Sequence, residues 1–124
     1  MKMGYESRLY VVEKSTLKSD VDGEEMRWGE VVAMFDLCVV YGWSGEMGRF
    51  KDTDAYIYGS DGNTRITRDG YGERMKEVPL GEAVKILRRE AEKDPYRRFK
   101  PCIALLEAFN EDEWRELVVL HYGH

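Results

Sequence analysis

Residues 31–41 read Val-Val-Ala-Met-Phe-Asp-Leu-Cys-Val-Val-Tyr, an apolar run with one charge, Asp36, near its middle. Because this segment is so apolar, we expect it to be buried on at least one face. Its β-branched residues favour a strand over a helix. Strand alternation gives one wholly apolar face, made of Val31, Ala33, Phe35, Leu37, Val39 and Tyr41. The opposite face is mixed, which is typical of an antiparallel sheet with helices on one side. We therefore expect the central strand of a sheet here, from about residue 28 to residue 41.

Local patterns predict the other elements. Alternation and turn residues favour strands at 7–14, 55–58, 64–68 and 114–122, with a turn at Asp22-Gly23 and a tight link at 59–63. Apolar spacing predicts helices at 81–93 and 101–109, separated by a short turn at 95–99. The expected fold is α+β: a mostly antiparallel sheet of about five strands with two helices packed on one face, in a single domain over residues 1–124.

Composition limits the class of protein. The chain has 124 residues, of which 43% are hydrophobic and 35% charged, which predicts a globular domain with its own core. No apolar run is long enough to span a bilayer, and residues 1–7 have no apolar segment of a secretory signal. Cys38 and Cys102 both lie in apolar surroundings, which favours buried free thiols in a reducing compartment. The expected location is the cytoplasm.

The charge distribution argues against binding to duplex nucleic acid. The formal net charge is −5, whereas duplex-binding proteins usually have clustered basic residues and a net positive balance. Residues 71–100 are the exception, with 9 basic and 6 acidic residues. A small anionic ligand held by this region is compatible with the sequence.

No catalytic or metal constellation is predicted. The two histidines, His121 and His124, have no cysteine near them in sequence, and the chain contains no Gly-x-Ser-x-Gly nucleophile motif. Glu30 and Asp36 lie about 20 Å apart along an extended strand, which is too far for an acid–base pair. Asp36 is a candidate ligand anchor, but pairing with an arginine such as Arg8 is the favoured interpretation. We expect no catalytic residue, no metal site and no cofactor.

The glycine-punctuated stretch 42–53 contains three large apolar residues, Trp43, Met47 and Phe50. Large apolar side chains on a loop often form a contact surface for a protein partner. Alternatively, they fold back and cap the sheet. The sequence leaves both interpretations open.

Two groups combine arginine with aromatic residues, a pairing that can hold an anion and stack on a base. In the 85–100 region, Arg97 and Arg98 adjoin Phe99, although nearby glutamates also fit an ordinary solvated helix face. The second group lies on the mixed face of the sheet and serves equally well as a ligand pocket or as a homodimer interface. Its members are Arg8, Tyr10, Tyr56, Tyr58 and Arg65.

Three segments, residues 3–15, residues 29–37 and the closing Trp-x-x-Leu-Val-Val-Leu-His-Tyr-Gly, resemble small accessory proteins of bacteriophages and prophages. The resemblance implies a non-enzymatic protein that binds and inhibits a host protein in the host cytoplasm, such as an anti-defence inhibitor of the anti-CRISPR kind. The alternative, from the arginine and tyrosine groups, is a small-ligand binder that sequesters an anionic nucleotide signal.

Overall fold

The computed structural model describes residues 6–37, 49–93 and 97–124. They form an α+β fold with a seven-stranded sheet and two α-helices. The strands are β1 (Ser7–Val21), β2 (Glu24–Asp36), β3 (Lys51–Asp52), β4 (Ala55–Tyr58), β5 (Arg65–Ile66), β6 (Lys76–Pro79) and β7 (Leu117–Gly123). The helices are α1 (Leu80–Lys93) and α2 (Phe99–Glu107), and a 3-10 turn at Glu113–Arg115 precedes β7.

The sheet is larger than the mostly antiparallel sheet of about five strands that we expected, and it is mixed. Its order is β3-β6-β7-β1-β2-β4-β5, and β2 pairs with β4 in parallel while every other pairing is antiparallel. The strands that the sequence did not predict, β3 and β6, contain two and four residues. Such short segments show too little alternation to be recognised.

The β1–β2 hairpin confirms the predicted turn but extends further than expected. Asp22 and Gly23 both have positive φ, at 52° and 85°, as a two-residue hairpin turn of the primed type requires. The amide of Gly23 also donates to Asp20 Oδ1 at 2.9 Å. The polar stretch after residue 14 is therefore the outer end of a long hairpin rather than a loop.

Alternation along β1 divides the core into two layers. Leu9 and Val11 face the helices, while Tyr10 and Val12 face the opposite side of the sheet. The apolar side of α1 and α2 packs on the first layer through Leu80, Ala83, Val84, Ile86, Leu87, Cys102 and Leu106. The second layer is covered in part by Ala55, Ile57 and Ile66 of the β4–β5 hairpin and by Met75. The two helices thus lie on one face, as predicted.

Residues 31–36 are extended, as predicted, but they are not the centre of the sheet. That position belongs to β1, between β7 and β2, and residues 9–12 of β1 and 119–121 of β7 are buried. The parallel strand β4 reaches β2 only at Arg27 and Trp28, so among the described residues no strand pairs with the outer edge beyond them. A register shift opposite Val11 and Val12 leaves Val32 as an extra residue, a β-bulge. Residues 38–41, the rest of the predicted strand, lie outside the described part.

Two side-chain contacts lie at the C-terminal end of α2. Arg88 of α1 pairs with Glu107 of α2 at 2.6 Å, and the Trp114 indole donates to the Phe109 carbonyl at 2.9 Å. Cys102 is a fully buried free thiol, as predicted, whereas Cys38 falls outside the described residues. Neither described helix is long and apolar enough to cross a bilayer.

Candidate functional site

The helix-free face of the sheet contains an open cleft of about 610 Å³ between the β1–β2 strands and the β4–β5 hairpin. Ligand sites for small molecules have volumes of roughly 300–1,000 Å³. The lining combines one cation, two phenol rings, three apolar side chains and the polar turn of the hairpin. Its residues are Arg8, Tyr10, Val31, Met34, Tyr58, Gly59, Ser60, Asp61, Thr64 and Ile66.

Arg8 lies at one end of the cleft and is held in place by its neighbours. Its guanidinium donates to the Tyr10 hydroxyl at 3.3 Å and to Asp36 Oδ2 at 3.4 Å, and it lies 5.7 Å from the centre of the Tyr122 ring. The hydrogen bond to Tyr10, together with the charge of Asp36, raises the pKa of Arg8 above its ordinary value. Arg8 Nε is buried and has no hydrogen-bond partner among the described residues. The Arg8–Asp36 pair predicted from sequence is confirmed.

The tyrosines of the hairpin form the opposite side. Tyr58 is 38% exposed and contacts Tyr56 and Trp28 edge-on, with ring centroids 5.8 and 6.5 Å apart. Tyr56 is buried behind it, and the Arg65 guanidinium lies 5.6 Å from the Tyr56 ring centre. A hydrogen bond to Tyr58 is the main cause of the raised pKa of Arg65. Of the predicted group, therefore, Tyr58 lines the cleft with Arg8 and Tyr10, while Tyr56 and Arg65 contact Tyr58 but are not part of the lining.

A charged turn forms the rim of the cleft. Asp61 Oδ1 accepts hydrogen bonds from the backbone amides of Asn63 and Thr64 at 2.9 and 2.8 Å, and the Thr64 hydroxyl donates to Oδ2. The Thr64 hydroxyl and these amides lower the pKa of Asp61 to about 2. The rim therefore carries a fixed carboxylate that can accept hydrogen bonds from a ligand's hydroxyl or amino groups.

The remaining predicted site residues are not part of this cleft. Arg97 and Arg98 precede α2, whose first residue packs in the helix-side core, so they lie across the sheet from Arg8 and Tyr10. Phe50 is 7% exposed and packs in that same core, as the capping alternative requires, so it offers no open contact surface. Trp43 and Met47 lie outside the described residues.

A buried serine–histidine pair was not among the predicted features. Ser7 Oγ and His121 Nε2 are hydrogen-bonded at 2.9 Å, and the two residues are 0% and 2% exposed. Burial lowers the pKa of His121 to about 4, although the charge of Asp69 opposes the shift. A nucleophile and its base need access to substrate, which this burial denies. The pair is structural. Its one sequence signal is that Ser7 lies on the apolar face of β1, in phase with Leu9.

One group of described side chains has the composition of a metal site. Glu6, Asp36 and His124 each offer a ligand atom, and these atoms lie within 4.8 Å of one another on the helix-free face, next to Arg8. His124 directly follows the last residue of β7. Its backbone exchanges two hydrogen bonds with Glu6, at 2.8 and 3.0 Å.

Comparison of this chain with protein-family models, curated proteins and solved structures finds no match.

Proposed function

We propose that this protein is a non-enzymatic binding protein that takes a small organic anion with a flat ring, of the nucleotide type, in the cleft between β1–β2 and the β4–β5 hairpin. One observation carries the proposal: a cleft of suitable size has Arg8 and Tyr10 on one side and Tyr58 on the other.

The chemistry of the lining supports this ligand class. A guanidinium binds phosphate or carboxylate oxygens through several N–H groups at once, and Arg8 has a buried Nε with no described partner. Phenol rings stack on planar groups of any identity, and Tyr58 is exposed enough to do so. The Asp61 carboxylate at the rim suits a donor such as a sugar hydroxyl. Val31, Met34 and Ile66 supply the apolar part of the lining, and ligand pockets are normally lined mainly by apolar side chains.

Calorimetric titration of the full chain with AMP, GMP and their cyclic forms tests the proposal. At least one should bind with 1:1 stoichiometry, and Arg8→Met or Tyr58→Ala should weaken binding at least ten-fold. Arg97→Met is the matched control, because it makes the same change on the other side of the sheet, and it should leave affinity within two-fold. Absence of saturable binding up to millimolar ligand, or loss of binding in Arg97→Met alone, would contradict the proposal.

We propose, as a second candidate, inhibition of a host protein that docks on the apolar side chains of β2. The supporting observation is their exposure: Val31, Val32 and Met34 are 38%, 45% and 52% exposed along an edge that no described strand pairs with. Unpaired edges and clustered apolar side chains are features of protein-binding surfaces. The phage resemblance of the sequence is compatible with such a role.

Affinity capture from a bacterial lysate distinguishes this candidate. A protein retained by the parent chain should be lost with the double variant Val32→Lys, Met34→Lys. It should be kept with Leu17→Lys, which alters a side chain that is 78% exposed at the outer end of the hairpin. Equal retention by all three chains would count against the host-protein candidate.

A further inference from the structure

Three distant parts of the chain meet at one end of the helix-free face. Arg8 of β1 is opposite Asp36 of β2 and Tyr122 of β7, so β1 lies between the two strands that end here. Two reciprocal backbone hydrogen bonds place Glu6 opposite His124, one step beyond the last strand pair. Because residues 6 and 8 share a face, the side chains of Glu6, Asp36 and His124 converge beside Arg8.

The distances between these side chains are suitable for one metal ion. His124 Nε2 lies 3.5 Å from Asp36 Oδ2, and Nδ1 lies 3.7 Å from Glu6 Oε2. Two ligands that each bind one ion at about 2.1 Å are themselves roughly 3–4 Å apart. The imidazole needs only to turn so that one nitrogen faces both carboxylates. The backbone hydrogen bonds between residues 6 and 124 keep these two ligands together without any ion.

The exposure and charge of the group are those of an open site rather than a closed one. The side chains of Glu6, Asp36 and His124 are 42%, 31% and 18% exposed, so water can complete the coordination sphere. Two carboxylates balance a doubly charged ion. Arg8 shares Asp36 Oδ2 and is a nearby positive charge, but it also has the Tyr10 hydroxyl as a partner. An ion that takes this oxygen therefore leaves the guanidinium with a partner.

We infer that Glu6, Asp36 and His124 form a binding site for a divalent transition-metal ion, with Zn²⁺ or Mn²⁺ as its chemical class. An imidazole with two carboxylates suits these borderline ions, whereas Mg²⁺ and Ca²⁺ prefer ligand sets made of oxygen alone. The site adjoins the cleft through Arg8 but does not depend on a ligand there. This inference goes beyond the proposed function, and the two can fail separately.

Titration of tag-free full chain with ZnCl₂ or MnCl₂, without any organic ligand, tests the site. One Zn²⁺ should bind per chain, and Mg²⁺ and Ca²⁺ should bind at least ten-fold more weakly. Glu6→Gln, Asp36→Asn and His124→Ala should each lower the affinity for Zn²⁺ at least ten-fold. The matched controls Glu82→Gln and Asp52→Asn change ion-paired carboxylates elsewhere and should stay within two-fold of the parent.

A second measurement covers variants that fold poorly. In the parent chain, Mn²⁺ should broaden the amide NMR signals of residues 6, 36 and 124 first, and those near residue 17, at the outer end of the β1–β2 hairpin, last. Two results would overturn the inference: no saturable Zn²⁺ or Mn²⁺ binding below millimolar concentration, or parent-like binding by all three site variants. Broadening centred on any other part of the chain would overturn it as well.

Discussion

The imidazole of His121 lies 2.9 Å from the hydroxyl of Ser7 and edge-on to the Phe50 ring, inside the helix-side core. Burial holds its pKa at about 4, well below the ordinary 6.5, so the folded protein keeps this ring neutral at every pH above that value. The unfolded chain takes up the proton near pH 6.5 instead. The contribution of the neutral His121 to the free energy of unfolding is therefore fully present above pH 6.5, and it is lost as the pH falls toward 4.

We expect the free energy of unfolding to fall by about 2 kcal/mol between pH 8 and pH 5 because of this one group. Urea denaturation across that range measures the slope. His121→Gln should flatten the slope, and His124→Gln should leave the contribution of His121 in place. An equally steep slope in His121→Gln would show that the buried imidazole is not its source.

Lys14 is the centre of a half-buried ionic network that joins β1, β6 and the link between β3 and β4. Its Nζ donates to Asp54 Oδ1 at 2.6 Å and to Glu77 Oε1 at 2.9 Å, and the Thr53 hydroxyl also donates to Glu77. Burial favours the neutral forms, but the mutual hydrogen bonds outweigh it, raising the pKa of Lys14 and lowering that of Asp54.

Removal of this cation should leave Asp54 with Arg27, 3.2 Å away, and Glu77 with the Thr53 hydroxyl as their remaining described partners. We expect Lys14→Met to lower the free energy of unfolding by about 2 kcal/mol. Lys76→Met removes the partner of Asp52 from an exposed pair, which water and salt screen, and should change the free energy of unfolding much less. Chemical denaturation at neutral pH compares the two variants, and similar losses in both would contradict a special role for Lys14.

Two methionines on β2 test which end of that strand contributes to the core. Met26 is 1% exposed and packs with Val21 and Tyr56, whereas Met34 is 52% exposed. Met26→Ala should cost about 3 kcal/mol through lost contacts and a cavity, and Met34→Ala less than about 0.5 kcal/mol. The difference in urea midpoint measures this directly. The reverse order would mean that the apolar run is buried after all.

Cys102 should be chemically inert in the native state. It is fully buried, and burial raises its pKa to about 12, so at pH 8 almost no thiolate is present. In a Cys38→Ser background, reaction with a thiol-specific disulfide reagent should be at least a hundred-fold faster in urea than in buffer. Equal rates would show that the helical layer opens readily.

Local signals explain what could be predicted from the sequence. The 3.6-residue apolar spacing located α1 within one residue at its start, and the turn residues located both hairpins. The parallel pairing of β2 with β4 is a long-range contact that no local pattern encodes. The same distinction applies to the candidate site. Strand alternation predicts that Arg8 lies near Asp36 and that Tyr10 lies near Tyr58. The contacts of Glu6 with His124 and of Ser7 with His121 join residues more than 110 positions apart, and only the β1–β7 register reveals them.

The β-bulge at Val32 gives β2 one residue more than the stretch of β1 with which it pairs. Because the bulge absorbs this residue, the side chains after it keep the faces of their β1 partners, with Met34 toward the cleft and Asp36 toward Arg8. Deleting Val32 would therefore convert the bulge into a regular ladder, in which Val31 and Ala33 stay opposite Val12 and Val11, and Asp36 stays opposite Arg8. A one-codon deletion at this position should accordingly be tolerated.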